Sequence, residues 1–408
     1  MKVSEMSDDT VSIIVGSQSL SGWEDVRITR DIESCPSAFT LTLTKKYPTQ
    51  SNEILITPGA PCKVTIGGDT VVTGYVDRYT ASISADEHEI HIIGRGMCED
   101  LVDCSAAFQG FQLSNHTIVS LAKFLAQPFG IRVVAPDGDS AVIPQFNVTL
   151  TETPYEIIER VARWANFLVY EDTNGNLMIA KVGDKKAATG FVQGQNVERA
   201  DVSLSVDERY TVMSAVYLAN SFLTDPPPAA DSSAPVLPFG SNGGGTLDGM
   251  MAVMASDDVD IGLDGVAAVD KSFPDRADGL PRKRPLIIVS EQDQNLPELA
   301  TQRTQWDMAR RVGRSQQVTL VCDSWRDGAG ALWAPNTLAV VNLPTLKLTN
   351  QTWLISSVTF MRGEEGTQAE ITLMPPSAFV PAPDILIAFD FNVDRALGNG
   401  ASNLPAAR

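Results

Sequence analysis

The stretch ATQRTQWDMARRVGRSQQVTLVCDSWRDGAGALWAPN, residues 300–336, carries three signals in a row. Its first part has the spacing of an amphipathic helix, bears Arg303, Trp306, Arg310 and Arg311, and closes at Gly313. Gln317 to Cys322 then alternates with period 2, the mark of a half-buried strand. Ser324-Trp325-Arg326-Asp327-Gly328 and Leu332-Trp333-Ala334-Pro335-Asn336 follow as an aromatic, turn-rich connection. Three of the six tryptophans lie in this segment, yet it holds no histidine and no nucleophile beside a base. It reads as a docking and packing element.

Upstream, residues 10–104 read as β. Ser37 to Thr44 alternates, with Phe39, Leu41 and Leu43 on one face and Thr40, Thr42 and Thr44 on the other. Val64 and Ile66 run into Gly67-Gly68, a two-residue hairpin signal, and Val71 to Val76 returns. Glu87 to Ile93 is a further strand. Short strands separated by turn signals suggest a small barrel or sandwich.

Residues 105–195 change to an α+β pattern. Ile118, Leu121, Ala122 and Leu125 share one face of a helix. A second helix starts at Thr153-Pro154-Tyr155-Glu156, where Thr153 caps, Pro154 suits the first position and Glu156 completes a capping box. Asn174-Gly175 turns a hairpin between Phe167–Glu171 and Leu177–Ala180.

Strand patterns resume at 202–220 and again from Leu286, running to about Met374. Between them, residues 222–284 hold Pro226-Pro227-Pro228, Gly243-Gly244-Gly245 and many Asp and Ser. A loop of that length inside a domain is unusual. Two readings fit it: a linker, or an insertion whose Met250 to Met254 stretch docks. Past Pro375-Pro376, the apolar run Ile385 to Phe391 either adds to a neighbouring subunit's sheet or folds back on its own domain.

The bulk numbers set limits. A chain of 408 residues has room for two to four domains. Its 31 basic and 50 acidic residues give a net charge of -19, which repels DNA and anionic membranes. Solubility accounts for such a surface, and so does a conduit wall that nucleic acid slides past. Met1 to Thr10 lacks a signal-peptide pattern, and no apolar run approaches the roughly 20 residues of a membrane helix. The expectation is folding in a cytoplasm. The five cysteines, Cys35, Cys62, Cys98, Cys104 and Cys322, match no zinc spacing; they read as reduced, buried thiols, with a disulfide within the first domain as the alternative.

Candidates for chemistry fail one at a time. His88 and His91 lie three apart on a strand and face opposite sides. His116 sits at a helix start. Glu156 has its capping role, and Glu159 lies within the same helical turn, whereas glycosidase carboxylates face each other across a cleft. Asp257, Asp258, Asp260 and Asp264 miss the spacing of a calcium loop. Gly240 to Gly245 lacks the Lys and Ser/Thr of a phosphate loop. No catalytic, cofactor-binding or metal-binding residue is therefore expected. Arg282-Lys283-Arg284 is the one basic run, a solvated loop or a contact for an acidic partner.

Several motifs, in order, carry a resemblance over residues 10–379. They are Ser21-Gly22-Trp23 with Val26 to Arg30 and Ile32-Glu33-Ser34; Gly74-Tyr75-Val76-Asp77; Gly94-Arg95-Gly96 with Asp100 to Ala106; Thr153 to Glu156; Arg303 to Asn336; and Leu373-Met374-Pro375. Together they resemble the baseplate central hub proteins of contractile-tailed bacteriophages, of the phage Mu type, within the superfamily of T-even hubs and tail-tube adaptors. The resemblance implies an α+β, multidomain chain in which two tube-type antiparallel β-barrels join a ring. The barrels are then residues 1–104, and 196–221 plus 285–378 with a helix at 297–313; the peripheral α+β domain is 105–195. Residues 222–284 are an insertion and 379–408 an extension, outside the likeness.

It further implies a non-enzymatic homotrimer without cofactors, located in the virion tail baseplate and assembled in the host cytoplasm. Its partners would be the tail spike, the tail tube or distal tube protein and the baseplate wedge proteins, with no membrane. The genome would pass through its channel without specific binding. The hub of an R-type pyocin or other contractile injection system is an alternative. A tail-associated peptidoglycan hydrolase is a rival of another class, and a receptor-binding adhesin lacks the repeats it would need.

Overall fold

The computed structural model describes residues 9–45, 56–84, 88–106, 112–140, 142–149, 151–165, 167–218, 250–253, 267–269, 273–274, 282–290 and 296–379. The chain divides into two compact units, residues 1–203 with 316–381 and residues 204–315 with 382–408.

The N-terminal strands are β1 (Val11–Val15), β2 (Gln18–Ser21), β3 (Asp25–Asp31), β4 (Ala38–Lys45), β5 (Pro61–Ile66), β6 (Asp69–Ile83) and β7 (His88–Gly96). An α+β stretch follows: α1 (Glu99–Asp103), β8 (Gln112–His116), α2 (Ile118–Ala126), β9 (Val133–Val134), β10 (Ile143–Asn147), α3 (Pro154–Trp164), β11 (Leu168–Glu171) and β12 (Leu177–Ala180). Strands β13 (Phe191–Val192) and β14 (Val197–Leu204) come next. The second unit contributes β15 (Val212–Leu218), β16 (Met250–Val253), β17 (Ala267–Val269), β18 (Pro285–Ser290) and α4 (Leu296–Arg314). The chain returns through β19 (Gln316–Cys322), β20 (Thr337–Leu343), β21 (Leu348–Gly363) and β22 (Gly366–Met374).

Local chemistry explains many of these bounds. In β4 the alternating Phe39 and Leu41 are buried. Gly67 and Gly68 both take positive φ, +55° and +89°, and turn β5 into β6. At the start of α3, Thr153 Oγ1 accepts the Glu156 N–H at 3.2 Å and Glu156 Oε2 accepts the Thr153 N–H at 2.8 Å. That closes the capping box, with Pro154 in the first turn. Helix α2 is capped by Thr117 in the same way, with Ser120 in place of the acid.

A thirteen-stranded, mostly antiparallel sheet dominates the first unit, in the order β14-β19-β22-β21-β3-β4-β7-β6-β5-β1-β2, with β20 on β21 and β13 on β20. One apolar core runs under it, from Val11, Ile28 and Phe39 to Trp325, Phe360 and Leu373. The strand order holds a duplication: β3-β4-β7-β6-β5 is repeated as β14-β19-β22-β21-β20. The two long strands of the repeat, β6 and β21, each break register by one residue. The break falls at Asp77 against β7 and at Ser356 against β22. A bulge at matching places in the two copies marks them as one design used twice.

The two copies are stitched together within the chain. Strand β21 pairs antiparallel with β3, from Ser357 opposite Asp31 to Arg362 opposite Val26. In chain order the α+β stretch sits between the copies. The second unit is inserted between β14 and β19, where the first copy has only the turn from β3 to β4.

In the second unit, β15 pairs antiparallel with β16 and β17 and parallel with β18. This departs from the expected layout, in which 196–221 and 285–378 make one barrel. Residues 212–218 and 285–290 pair with each other in a separate sheet. Their apolar runs specify strands but not partners. Met250 to Val253, expected as a docking segment or linker, forms β16 along β15. Met213 and Met308 are buried together.

Among the described residues no helix is long and apolar enough to cross a membrane. The segments 240–245 and 257–264 and the run 385–391 lie outside the described residues.

Candidate functional site

The residues that hold the duplicated sheet together form the most developed constellation in the first unit. The connection between β19 and β20 supplies its centre. Trp325 is fully buried, and its Nε1–H donates to the carbonyls of Met361 at 3.1 Å and Gln368 at 2.7 Å. The Arg362 guanidinium lies 4.7 Å from the Trp325 ring centre, a cation–π contact. Trp333 packs on Phe191 with ring centres 4.6 Å apart, and its Nε1–H donates to the Ser324 carbonyl at 2.9 Å.

Next to Trp325, the Arg326 side chain is only 8% exposed; Nη1 donates to the Gly330 carbonyl of its own loop at 2.9 Å, and the other contacts reach the N-terminal segment. Nε donates to Asp9 Oδ1 at 2.9 Å, Nη1 to Asp69 Oδ2 at 2.7 Å, and Nη2 to the Ile66 carbonyl at 3.1 Å. Arg362 Nη2 donates to the Asp9 carbonyl at 2.8 Å. Guanidinium forks suit this work because their donors are fixed in one plane. The loop read as a docking element thus clamps the first copy of the repeat to the second.

A second anchor ties the α+β stretch to the first copy. Glu171 on β11 is buried, and its carboxylate accepts the N–H of Ser37 at 2.9 Å and of Cys98 at 2.8 Å. Burial raises its pKa, and these two N–H groups offset only part of the rise. Arg30 lies nearby with its pKa lowered by burial, while the Glu171 charge raises it. A Cβ at Gly96 would collide with the Glu171 carboxylate, so glycine is needed there.

Arg95 organises the end of the first copy. It donates to Asp77 at 2.7 Å and, with both Nη atoms, to Asp103 at 3.1 and 2.7 Å. Its Nε also stands 3.2 Å from Glu99 Oε2, but its N–H points at Asp77. Glu99 therefore gains charge proximity without a hydrogen bond from Arg95. Burial, then the neighbouring Asp77, pushes its carboxyl up to about 8.

The sequence candidates fall into place individually. His91 accepts or donates to Thr42 at 3.0 Å and lies 3.1 Å from Glu89 on the same strand face. His116 contacts Ser120 at 3.3 Å and packs beside Phe124. Glu159 pairs with Arg163 in its own helix. Arg282 and Arg284, with Arg209, surround the Phe273 ring at 5.6 to 5.9 Å, and Arg284 and Arg311 face Tyr210. Arg282 and Arg284 thus lie over aromatic rings of their own unit, while Arg282 and Lys283 remain exposed. Trp306 is half-buried beneath Arg310 at 5.3 Å. All five cysteines are free; Cys104 is exposed, against the expectation of burial, while burial pushes the Cys62 thiol up to about 12.

Among the described residues, no group of three or more His, Cys, Asp or Glu is arranged to hold a metal. An open groove of about 540 Å³ beside the clamp is lined by Asn196, Asp323, Arg326, Asp327 and Trp333, with no histidine. What this architecture does is fix strands against strands.

Comparison with known proteins agrees domain by domain. Residues 10–96 match the N-terminal domain of the Mu phage baseplate assembly protein GpP-like family. Residues 98–181 match the second domain of the baseplate hub protein gp44-like family, and 296–382 the fourth domain of Mu phage baseplate assembly protein GpP. The chain is 25% identical over 376 residues to baseplate hub protein gp44 of Escherichia phage Mu, covering 91% of this chain and 89% of that one. It is similar to the 43 kDa tail protein of prophage MuSo2 from Shewanella oneidensis, at 27% identity and a TM-score of 0.71, over 91% of this chain and all of the other. A tail protein from Neisseria meningitidis shares the fold at 19% identity and a TM-score of 0.68, over 92% of this chain and 98% of the other. With three domains matched in order and one Mu relative aligned nearly end to end, the chain belongs to the Mu-type baseplate hub proteins of phage tails.

Proposed function

We propose that three copies of this chain form a ring at the distal end of a contractile tail, joining a sixfold tail tube to a threefold spike. The observation that carries this reading is the duplicated strand order in one chain. Three chains with two similar modules each present six similar contacts on one side, which suits a sixfold tube, while retaining true threefold symmetry for a spike. Unlike contact faces on one chain form heterologous interfaces, which close into rings. The role is structural, the partners are spike, tube and wedge proteins, and assembly takes place in the host cytoplasm.

The acidic balance supports a channel. Each chain carries a net charge of -19, so three of them set up a strongly negative field. Where that charge faces the lumen it keeps passing DNA from adhering.

Labelling tests the placement. Tails carrying a tagged copy of this chain, decorated with gold-coupled antibody, should show label only at the junction of tube and spike. Label along the sheath or on the fibres would overturn the reading.

A further inference from the structure

We infer that the free edge of β14 in one copy pairs antiparallel with the outer half of β6 in a second copy, in the register that β3 and β21 use within the chain. This rests on the trimer reading and names the surface that would close the ring.

The matching bulges fix the correspondence. With Asp77 equivalent to Ser356, Arg78 to Ile83 of β6 corresponds to Ser357 to Arg362 of β21. That half of β21 is covered by β3. The same half of β6 has β7 on one side only. Strand β5 pairs with β6 no further than Tyr75, and among the described residues no strand takes the remaining edge. Thr80, Ala81, Ser82 and Ile83 are exposed, Ile83 at 77%, whereas their counterparts Thr359 and Phe360 are buried.

Strand β14 holds the place of β3 in the second copy and ends the sheet path, with one isolated bridge from Val197 to Gln193. Ala200 and Val202 pack on the core, as Val26 and Ile28 do from β3. The Ser205 N–H donates to the Ser315 carbonyl at 2.8 Å. Extended in steps of one, that register sets Val202 opposite Val318, the counterpart of Phe39, which faces Ile28. Val202 is thus the counterpart of Ile28, and Ser203 of Thr29.

The in-chain register then dictates the contact between copies. Ile83 faces Ala200, Thr80 faces Ser203, and Tyr79 faces Leu204. Three features favour it. Leu204, at 65%, and Ile83 are the two most exposed large apolar residues among those described. Thr80 and Ser203 repeat the hydroxyl pair of Thr29 and Thr359, whose oxygens lie 3.1 Å apart. Both edges offer rows of backbone N–H and C=O groups, which added strands satisfy.

Disulfide trapping in the full-length chain tests this. The Thr80→Cys, Ser203→Cys double variant, oxidised mildly, should run as a three-chain band on non-reducing gels and collapse on reduction. Each single variant alone should stay uncrosslinked, which also controls for Cys104. An equal mixture of the two single variants should give two-chain bands. Light scattering on the same samples separates the failures. A trimer that does not crosslink overturns the edge pairing and leaves the trimer standing. A monomer at every concentration overturns the trimer and the pairing together.

Discussion

Thr29 and Thr359 are 330 residues apart in sequence, yet their hydroxyl oxygens lie 3.1 Å apart across the β3–β21 joint. Beside them Ile28 and Phe360 pair and are both fully buried. This joint makes one sheet of two copies, so its packing should dominate the stability of the first unit. Phe360→Ala should cost about 3–5 kcal/mol, the usual range for a truncated buried aromatic. Urea denaturation measures it. A loss below about 1 kcal/mol would mean the joint is not a packed core.

The Arg326 clamp makes a different prediction. Arg326→Ala strips Asp9, Asp69 and the Ile66 carbonyl of a shared donor and should cost about 2–3 kcal/mol. Arg326→Lys should recover little, because a point charge cannot fill the fork. Asp69→Asn should cost less than about 1 kcal/mol, since its side chain is 60% exposed. Full rescue by lysine, read from melting curves, would contradict the geometry.

Trp333 joins the loop to β13 through Phe191 and closes the loop on Ser324. Trp333→Ala should lower stability by about 3–5 kcal/mol. A variant that melts at the parent's temperature would show that the loop is fastened elsewhere.

Glu99 gives the chain a pH dependence with a defined sign. Its folded carboxyl is raised from 4.5 to about 8. Between those values the folded state binds the proton that the unfolded state has lost. Stability therefore falls as pH rises through that window, by linkage. Below it, both states are protonated and the penalty vanishes. Glu99→Gln should be more stable than the parent at pH 8.5 and equal to it near pH 4. Equal stability curves at both ends would rule out the shift.

Much of the local structure was legible in the sequence. The Phe39-Leu41 alternation, the Gly67-Gly68 turn, the Thr153/Glu156 capping box and the helix read at 297–313 all depend on neighbours within a turn or a hairpin. The packing character of Trp325 to Trp333 was legible because tryptophans gather there with no histidine and no nucleophile beside a base. Its partners were not, because Asp9 and Asp69 lie more than 250 residues from Arg326. The same limit hid the separate pairing of β15 with β18. An apolar run says that a strand is buried, not which sheet receives it. Two barrels were expected from the family resemblance, but the strand-by-strand repeat was not legible in the residues, because its copies share a bulge and a strand order rather than side chains: Asp77 corresponds to Ser356, and Ile83 to Arg362.

The central claim is that this chain closes into a ring. Electron microscopy of the purified full-length protein tests it most directly. Class averages should show a threefold ring with six similar lobes around an open channel. Compact single-chain particles without a channel, across the concentration range, would contradict it.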